Sequence, residues 1–404
     1  MEDKRVYRKP GRSQRPRQGA VLAMFGLFIV GFSLFNVIAP KRVTSELENR
    51  RLAQMPAFRW EALLDGSWFD DFATYLQDQV AFRDSWINLE SAVNNILFAK
   101  VEENDILLGK DGWMFSKLFA SEDEHTQLQT NTAAVAEFAA RYPGRVTFLL
   151  APSASVIYPE MLPAGAPMMD ENALLDTVFS EVSATARVLD LRETFRTNKG
   201  EYLYFKTDHH WTPLGAYFAY EQFCAQQGLT PFDRAAYEST TVPNFLGTHY
   251  LSTRRWNVQP DEITYYPLSN QMTIYEITGE AQFSPLRTEP LINTEKFDTY
   301  DKYAAFLDGN NGYSVIEGDG TGSILVVKDS YANSFVPYLT ANYAKIGVVD
   351  LRSFAYGLDS TIAQEGYAQI LILYNFQTFL SDGRVVYINR PSTLTATPES
   401  AAQS

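Results

Sequence analysis

The string Lys206-Thr207-Asp208-His209-His210-Trp211-Thr212-Pro213 sets an acid, two imidazoles and an indole side by side, in a chain with only four histidines. Thr212 reads as a helix N-cap, because its hydroxyl can accept from a free N–H of the first turn. Pro213 reads as the first helical residue, where its missing N–H costs nothing. The apolar-periodic run Leu214 to Phe223 continues that helix. Pro213 also biases Thr212 toward extended backbone. If Asp208 to His210 is extended as well, residues two apart point the same way. Asp208 and His210 then share a face, and His209 points away. A carboxylate that fixes the tautomer of a histidine is half of a relay that activates a nucleophile.

In open α/β sheets, ligand sites form at the carboxyl ends of strands, so the other half is sought there. The apolar run Ile324 to Val327 is followed by Lys328-Asp329-Ser330-Tyr331-Ala332-Asn333-Ser334-Phe335. Ser330 falls on a predicted strand-to-helix turn, where backbone N–H groups and the positive helix end can support an oxyanion. Asn375 follows the run Ile370 to Tyr374, and its amide can donate a second hydrogen bond to that oxyanion. Ser330, His210 and Asp208 are therefore the candidate nucleophile, base and orienter. Each neighbour also has a plainer reading. Ser330 can be only a helix N-cap, Asn375 only a turn residue, Trp211 packing that fixes the loop, and His209 a core residue. Arg352, after the strand ending at Asp350, reads as a carboxylate binder or as a helix cap. His125 and His249 stand alone and are expected at the surface. Asp-His-His also occurs in metal sites, and Asp190 and Asp350 occupy strand ends, so a metal-dependent phosphoesterase is a rival. That scheme leaves Trp211 and the serine turn without a role.

The elements that must position these groups follow from hydrophobic patterning. Ala20 to Ala39 carries no charge, and twenty residues at about 1.5 Å each span roughly 30 Å, the thickness of a hydrocarbon layer. Residues 1–19 hold seven Lys or Arg against two acids, which predicts a disordered basic tail left in the cytoplasm and a main domain outside. A cleaved signal peptide is the alternative, but the apolar run is long for one. Residues 40–104 read as an amphipathic helical stalk or collar, with Asp78, Gln79 and Arg83 as a structural polar cluster. Residues 105–391 read as the α/β domain. It has a hairpin around Asp111-Gly112, a helix over 130–141, a strand over 146–150, a helix over 170–185 and a strand over 187–191. After the central string the strands at 324–327, 346–350 and 368–374 alternate with helices, which predicts a parallel sheet. Residues 230–318 break this rhythm and read as an aromatic-rich insert of irregular strands or a cap. Residues 392–404 read as a mobile tail.

The formal net charge is −14, of which residues 1–19 contribute +5, so the remainder carries −19. Such an acidic surface argues against nucleic acid as a partner. A single cysteine, Cys224, excludes an internal disulfide and a cysteine-rich zinc site. It lies on the helix after Pro213 and reads as a small core residue.

The Lys206–Pro213 string resembles the signature of the DHHW proteins, part of the wider alginate O-acetyltransferase-like group with an SGNH-hydrolase-like domain. Other pieces are similar too: Glu48-Asn49-Arg50, Gln79 to Arg83, Ile157-Tyr158-Pro159-Glu160-Met161-Leu162-Pro163, Lys328-Asp329-Ser330-Tyr331 and Asp350-Leu351-Arg352. They run in order across residues 45 to 390. The resemblance implies a three-layer α/β sandwich with a parallel central sheet. It implies an Asp-x-His-Trp element carrying Asp208 and His210, a serine turn carrying Ser330, and Asn375 in the part of the SGNH asparagine. Tyr331, Arg352, Trp211 and His209 complete the expected oxyanion and substrate surroundings. The order of serine block and Asp-His block is reversed relative to ordinary SGNH hydrolases, as in the alginate-acetylation relatives. Lys328 stands where Gly-Asp-Ser has its glycine, and the Gly-x-Asn-Asp surroundings of Asn375 are absent. The implied activity is a membrane-anchored serine O-acetyltransferase or acetylesterase acting on an exported or cell-wall polysaccharide. It needs no cofactor and no metal, and a multipass membrane O-acyltransferase supplies the acyl group. The alternative from the aromatic insert is a catalytically inactive, glycan-binding domain.

Overall fold

The computed structural model describes residues 15–45, 50–98, 100–119 and 121–392. Most of the basic tail, the Glu48-Asn49 pair and the tail after residue 392 lie outside the described residues. Two compact units emerge, residues 1–90 and residues 91–404.

In the first unit, helix α1 (Arg15–Ile38) contains the apolar stretch Gly19–Ile38, long and apolar enough to cross a membrane. A signal sequence can have the same length and apolar composition. Helix α2 (Ser67–Asp78) and helix α3 (Arg83–Phe98) supply much of the helical character expected of residues 40–104, as two helices with a break between them. Residues 52–59 are not helical, contrary to the expectation of a helical stalk from residue 40. Buried side chains hold this stretch instead. Gln79 accepts from Arg42 N at 3.0 Å and donates to the carbonyls of Arg42 and Ala53, while Asp78 accepts from Ala53 N at 2.8 Å. Asp78 and Gln79 are thus structural, as their pattern predicts.

The second unit is built on one mixed sheet of eight strands. In chain order these are β1 (Val146–Ala151), β2 (Arg187–Leu189), β3 (Gln271–Gly279), β4 (Gln282–Pro290), β5 (Tyr313–Glu317), β6 (Ser323–Lys328), β7 (Lys345–Val349) and β8 (Gln369–Asn375). The spatial order is β4-β3-β5-β7-β6-β8-β1-β2. The five strands from β7 to β2 are parallel, and they are the five that the apolar runs predict. The expectation of a wholly parallel sheet is corrected at the other end: β4, β3 and β5 come from the insert and join antiparallel to β7. The insert is therefore partly an extension of the sheet, with a separate two-stranded ribbon pairing Thr240–Phe245 with Asp261–Tyr265.

Side chains alternate across a strand, and both sets are apolar here. Leu149, Val326, Val348 and Leu371 face one core with helix α6 (Pro213–Gln227). Phe148, Val327, Val349 and Ile372 face the other with α4 (Glu122–Ala140), α5 (Glu171–Val182) and α7 (Leu358–Glu365). Helices on both faces are what a sheet of continuous apolar runs requires. The capping box of Ser121 and Glu124 starts α4 earlier than the apolar spacing alone predicts. Cys224 is buried on α6, as expected of a small core residue.

Candidate active site

The central string folds as the tip of a tight hairpin. Tyr204 bridges Trp211 in antiparallel fashion, Thr212 N donates to Leu203 O at 2.9 Å, and Phe205 N to His210 O at 3.3 Å. Thr212 caps α6 through a bond from Gly215 N to its hydroxyl at 3.1 Å, with Pro213 at the first helical position. Asp208 to His210 is a bend rather than the extended segment expected. The pairing still holds by another route: Asp208 Oδ1 accepts from the backbone N–H of His210 at 2.8 Å and lies 2.6 Å from its Nδ1. His210 Nε2 stands 2.8 Å from the hydroxyl of Ser330. Ser330 is half-buried at the end of β6, on a short 3₁₀ turn, Ser330–Ser334. A chain of contacts from carboxylate to imidazole to hydroxyl is thus in place across 120 residues of sequence.

Several further contacts hold that chain rigid. Asp208 Oδ2 accepts from Thr248 N at 2.8 Å and from its hydroxyl at 3.1 Å. With Oδ1 also doubly engaged, the carboxylate has filled its acceptor capacity. Burial alone would raise the Asp208 pKa, but the neighbouring His210 and His209 and the hydrogen bonds hold it well below the ordinary range. Below the tip, Asp261 Oδ2 accepts from Thr207 N at 2.7 Å and from its hydroxyl at 2.5 Å, fixing the hairpin to the insert. Trp211 Nε1 donates to Tyr331 O at 2.9 Å and sits 3.1 Å from the Ser334 hydroxyl, so the indole is fully buried and ties the motif to the serine turn. That is the packing reading of Trp211, not substrate contact.

The other expected site residues also resolve in structural terms. Both hydrogens of the Asn375 amide are engaged, with Asp329 Oδ2 at 2.5 Å and Thr378 Oγ1 at 2.8 Å, and Asn375 N donates to the same Asp329 oxygen. Asn375 is therefore committed to Asp329, which in turn accepts from Tyr331 N at 2.9 Å and shapes the serine turn. Burial, opposed by these donors, pushes Asp329 up to about 6. No hydrogen bond from the Ser330 N–H is made among the described residues, so this donor at the turn is free to meet an oxyanion. The Tyr331 hydroxyl donates to His209 O. Arg352 forks onto Asp350, with Nε 2.9 Å from Oδ1 and an η nitrogen 2.6 Å from Oδ2. Asp190 is bound in the same way by Arg192.

Two histidines depart from expectation. His209 does not point away: its ring lies 3.8 Å from that of His210, and its Nδ1 is 2.7 Å from the Thr248 hydroxyl. His249 is buried rather than superficial, with Nε2 3.0 Å from Ser116 Oγ, and burial pushes its pKa down to about 4. His125 is exposed. Asp208, His209 and His210 each offer an atom within 4.8 Å of the others. A metal there would have to displace the hydrogen bonds that already fill Asp208.

The pattern gave no sign of Tyr303, one of 23 tyrosines. Its ring stacks on His210 with centroids 3.8 Å apart, and its hydroxyl lies 3.0 Å from Ser334 Oγ. Nor did it single out Lys328 as a buried group. The Lys328 ammonium donates to Asn310 and Asn333 at 2.7 Å each and lies 3.9 Å from Asp350, and burial pushes it down to about 8. On the His209 side of the triad lies a cleft of about 340 Å³ whose lining includes Ser116, His209, Thr248, His249, Asn375 and Gln377 but none of the three triad residues.

Residues 170–349 match the family model described as DHHW protein, which bears out the resemblance read from the central string. The matched stretch holds Asp208, His210 and Ser330; Arg352 and Asn375 fall outside it. The chain is 28% identical over 215 residues to the Probable alginate O-acetylase AlgJ of Pseudomonas aeruginosa, 50% of either chain. It thus spans about half the length of that curated relative. Among solved structures, a DHHW family protein from Eubacterium siraeum is similar at TM-score 0.60 and 23% identity, over 72% of this chain and 98% of that one. PatB1 of Bacillus cereus, solved with a sulfonyl adduct, is similar at TM-score 0.56 and 20% identity, over 69% of this chain and 97% of that one. At these identities the two structures share its fold.

Proposed function

We propose that the 105–391 region is an SGNH-like serine O-acyltransferase or esterase, acting on a hydroxyl of an exported or cell-wall polysaccharide. The observation that carries the reading is the 2.8 Å contact between His210 Nε2 and Ser330 Oγ, with Asp208 on the far side of the imidazole. Asp208 keeps the Nδ1 proton on His210, so Nε2 is the free base. Ser330 Oγ attacks the acyl carbonyl while His210 takes its proton. The oxyanion forms beside the Ser330 N–H, and His210 protonates the departing oxygen as the bond to it breaks. An acyl-serine remains. A sugar hydroxyl, or water in the esterase direction, then attacks the ester carbonyl, giving its proton to His210. Ser330 Oγ leaves with that proton, which restores the starting state. The cleft on the His209 side of the triad is lined, apart from Ile106, by hydroxyl, amide and neutral imidazole groups, suited to a polyhydroxylated acceptor. The name of the AlgJ relative supports acetyl as the acyl group and polysaccharide as the acceptor. Helix α1 would hold the chain in the membrane with its N-terminus in the cytoplasm, next to a multipass O-acyltransferase that supplies the acyl group. A serine out of reach of the imidazole would favour the binding-only reading, and the 2.8 Å contact favours the enzyme instead.

The test is p-nitrophenyl acetate turnover by purified protein and its Ser330→Ala form. Loss of the nucleophile should lower kcat at least about 10³-fold. Equal rates would remove Ser330 from the mechanism.

A further inference from the structure

The end of α1 is not bare. Within the first unit, the Phe35 and Phe82 rings stack with centroids 5.5 Å apart and planes 3° from parallel. Phe32 meets Trp86 edge-on at 6.3 Å. Asn36 Oδ1 accepts from Ala81 N at 2.6 Å. These anchor residues lie two to six positions before Ile38, so they sit about 3 to 9 Å below the top of the apolar helix at 1.5 Å per residue. If Gly19–Ile38 spans the hydrocarbon, whatever packs on Phe32 to Asn36 must stand at the depth where hydrocarbon gives way to headgroups.

The residues standing there present an apolar stripe to the outside. Phe82 is 62% exposed, Trp86 46% and Leu89 54%. Trp86 and Leu89 fall on one face of α3, and Phe82 continues that line just before the helix begins. Phe82 reaches this position with a φ of 58°, a left-handed conformation rare for a bulky side chain. Left in water, three large apolar groups would be a liability. At the membrane boundary they are well placed, since aromatic side chains favour that layer and amphipathic helices bury their apolar face in it.

We propose that Phe82, Trp86 and Leu89 dip into the outer interfacial layer of the bilayer, so that the start of α3 lies on the membrane beside the anchor. The occupant is lipid because the stripe is continuous with the membrane helix itself. This rests on α1 spanning the membrane.

The experiment uses the full chain, reconstituted in vesicles of neutral phospholipid. The sole cysteine, Cys224, is replaced by alanine, and an environment-sensitive fluorophore is attached at Leu89→Cys or, as control, Asn88→Cys. Asn88 is also exposed, but helical geometry turns it about 100° from its neighbour. The probe at 89 should emit to the blue of the probe at 88 and lose most of its emission when the vesicles contain lipid with a nitroxide near the headgroup. The probe at 88 should change little. Chains that float with the vesicles yet show equal quenching at 88 and 89 would overturn the stripe while leaving the anchor intact. A blue-shifted probe at 89 that the nitroxide lipid does not reach would mean that protein covers the stripe, and would also overturn it. Chains that do not float would overturn both.

Discussion

Replacing Gly247 by alanine tests whether the position of Asp208 sets the reactivity of the serine. Gly247 packs directly against that carboxylate. A Cβ at 247 would lie 2.2 Å from the Asp208 Cβ and 2.3 Å from its Oδ2. Ordinary contacts between such atoms are about 3.5 Å, so something must yield by about 1 Å. The Asp208 contact to His210 Nδ1 is 2.6 Å. Lengthened by about 1 Å, it ceases to be a hydrogen bond. The imidazole then loses its orienter although every triad residue is present. A misplacement of about 1 Å can cost roughly 10²-fold in rate, and overpacking typically costs 1–3 kcal/mol of stability. The assay is kcat/KM with p-nitrophenyl acetate, alongside the urea midpoint. Gly247→Ala should stay folded, with a midpoint lowered by that modest amount, and lose about two decades of activity. An unchanged rate in a folded variant would show that the loop at 247 absorbs the methyl group, and would refute the claim that Asp208 is held in place from that side.

Two other perturbations probe different links. Tyr303→Ala removes the ring stacked on His210 and leaves a cavity, which typically costs about 3–5 kcal/mol for a large aromatic group; Tyr303→Phe keeps the ring and should retain nearly all of the esterase rate, so equal loss in both would place the effect in the hydroxyl instead. Glu171 is buried with one carboxylate oxygen unpartnered, and burial pushes its pKa up to about 7 from 4.5. The folded state therefore holds a proton that the unfolded chain releases, so stability should fall as pH rises from about 4.5 to about 7, by on the order of 3 kcal/mol, and stay level above that. Urea midpoints from pH 4 to 8 should show this decline, and Glu171→Gln should flatten it.

The parallel half of the sheet was legible because four of its five strands, all but the short edge strand β2, are apolar runs buried on both faces, a pattern that needs no knowledge of partners. The antiparallel half was not. In β3 the inward Met272 and Ile274 alternate with more open residues, and nothing local says that this strand pairs with β5 some forty residues later. The acid and the imidazole were legible as a pair because they are adjacent in the chain, although a bend and not an extended segment joins them. Ser330 was legible only as a strand-end serine; its meeting with His210 depends on the long-range tie made by Trp211. Tyr303, His249 and Thr248 act through the fold of the insert, and no spacing within the central string points to them. Asn375 and Arg352 stand at the strand ends where they were sought, but their polar groups are spent on Asp329 and Asp350.

The order of the sheet also decides what its margins can do. One margin is β2, only three residues long, and the other is β4, which carries Pro285 and Pro290 along with Arg287 and Glu289. A strand that short offers little template, and prolines and charges at an edge withhold the donors and the neutral surface that a foreign strand needs. Neighbouring copies at high local concentration would thus find no ready seam for edge-to-edge annealing. The insert, by ending the sheet on β4, guards the domain against aggregation.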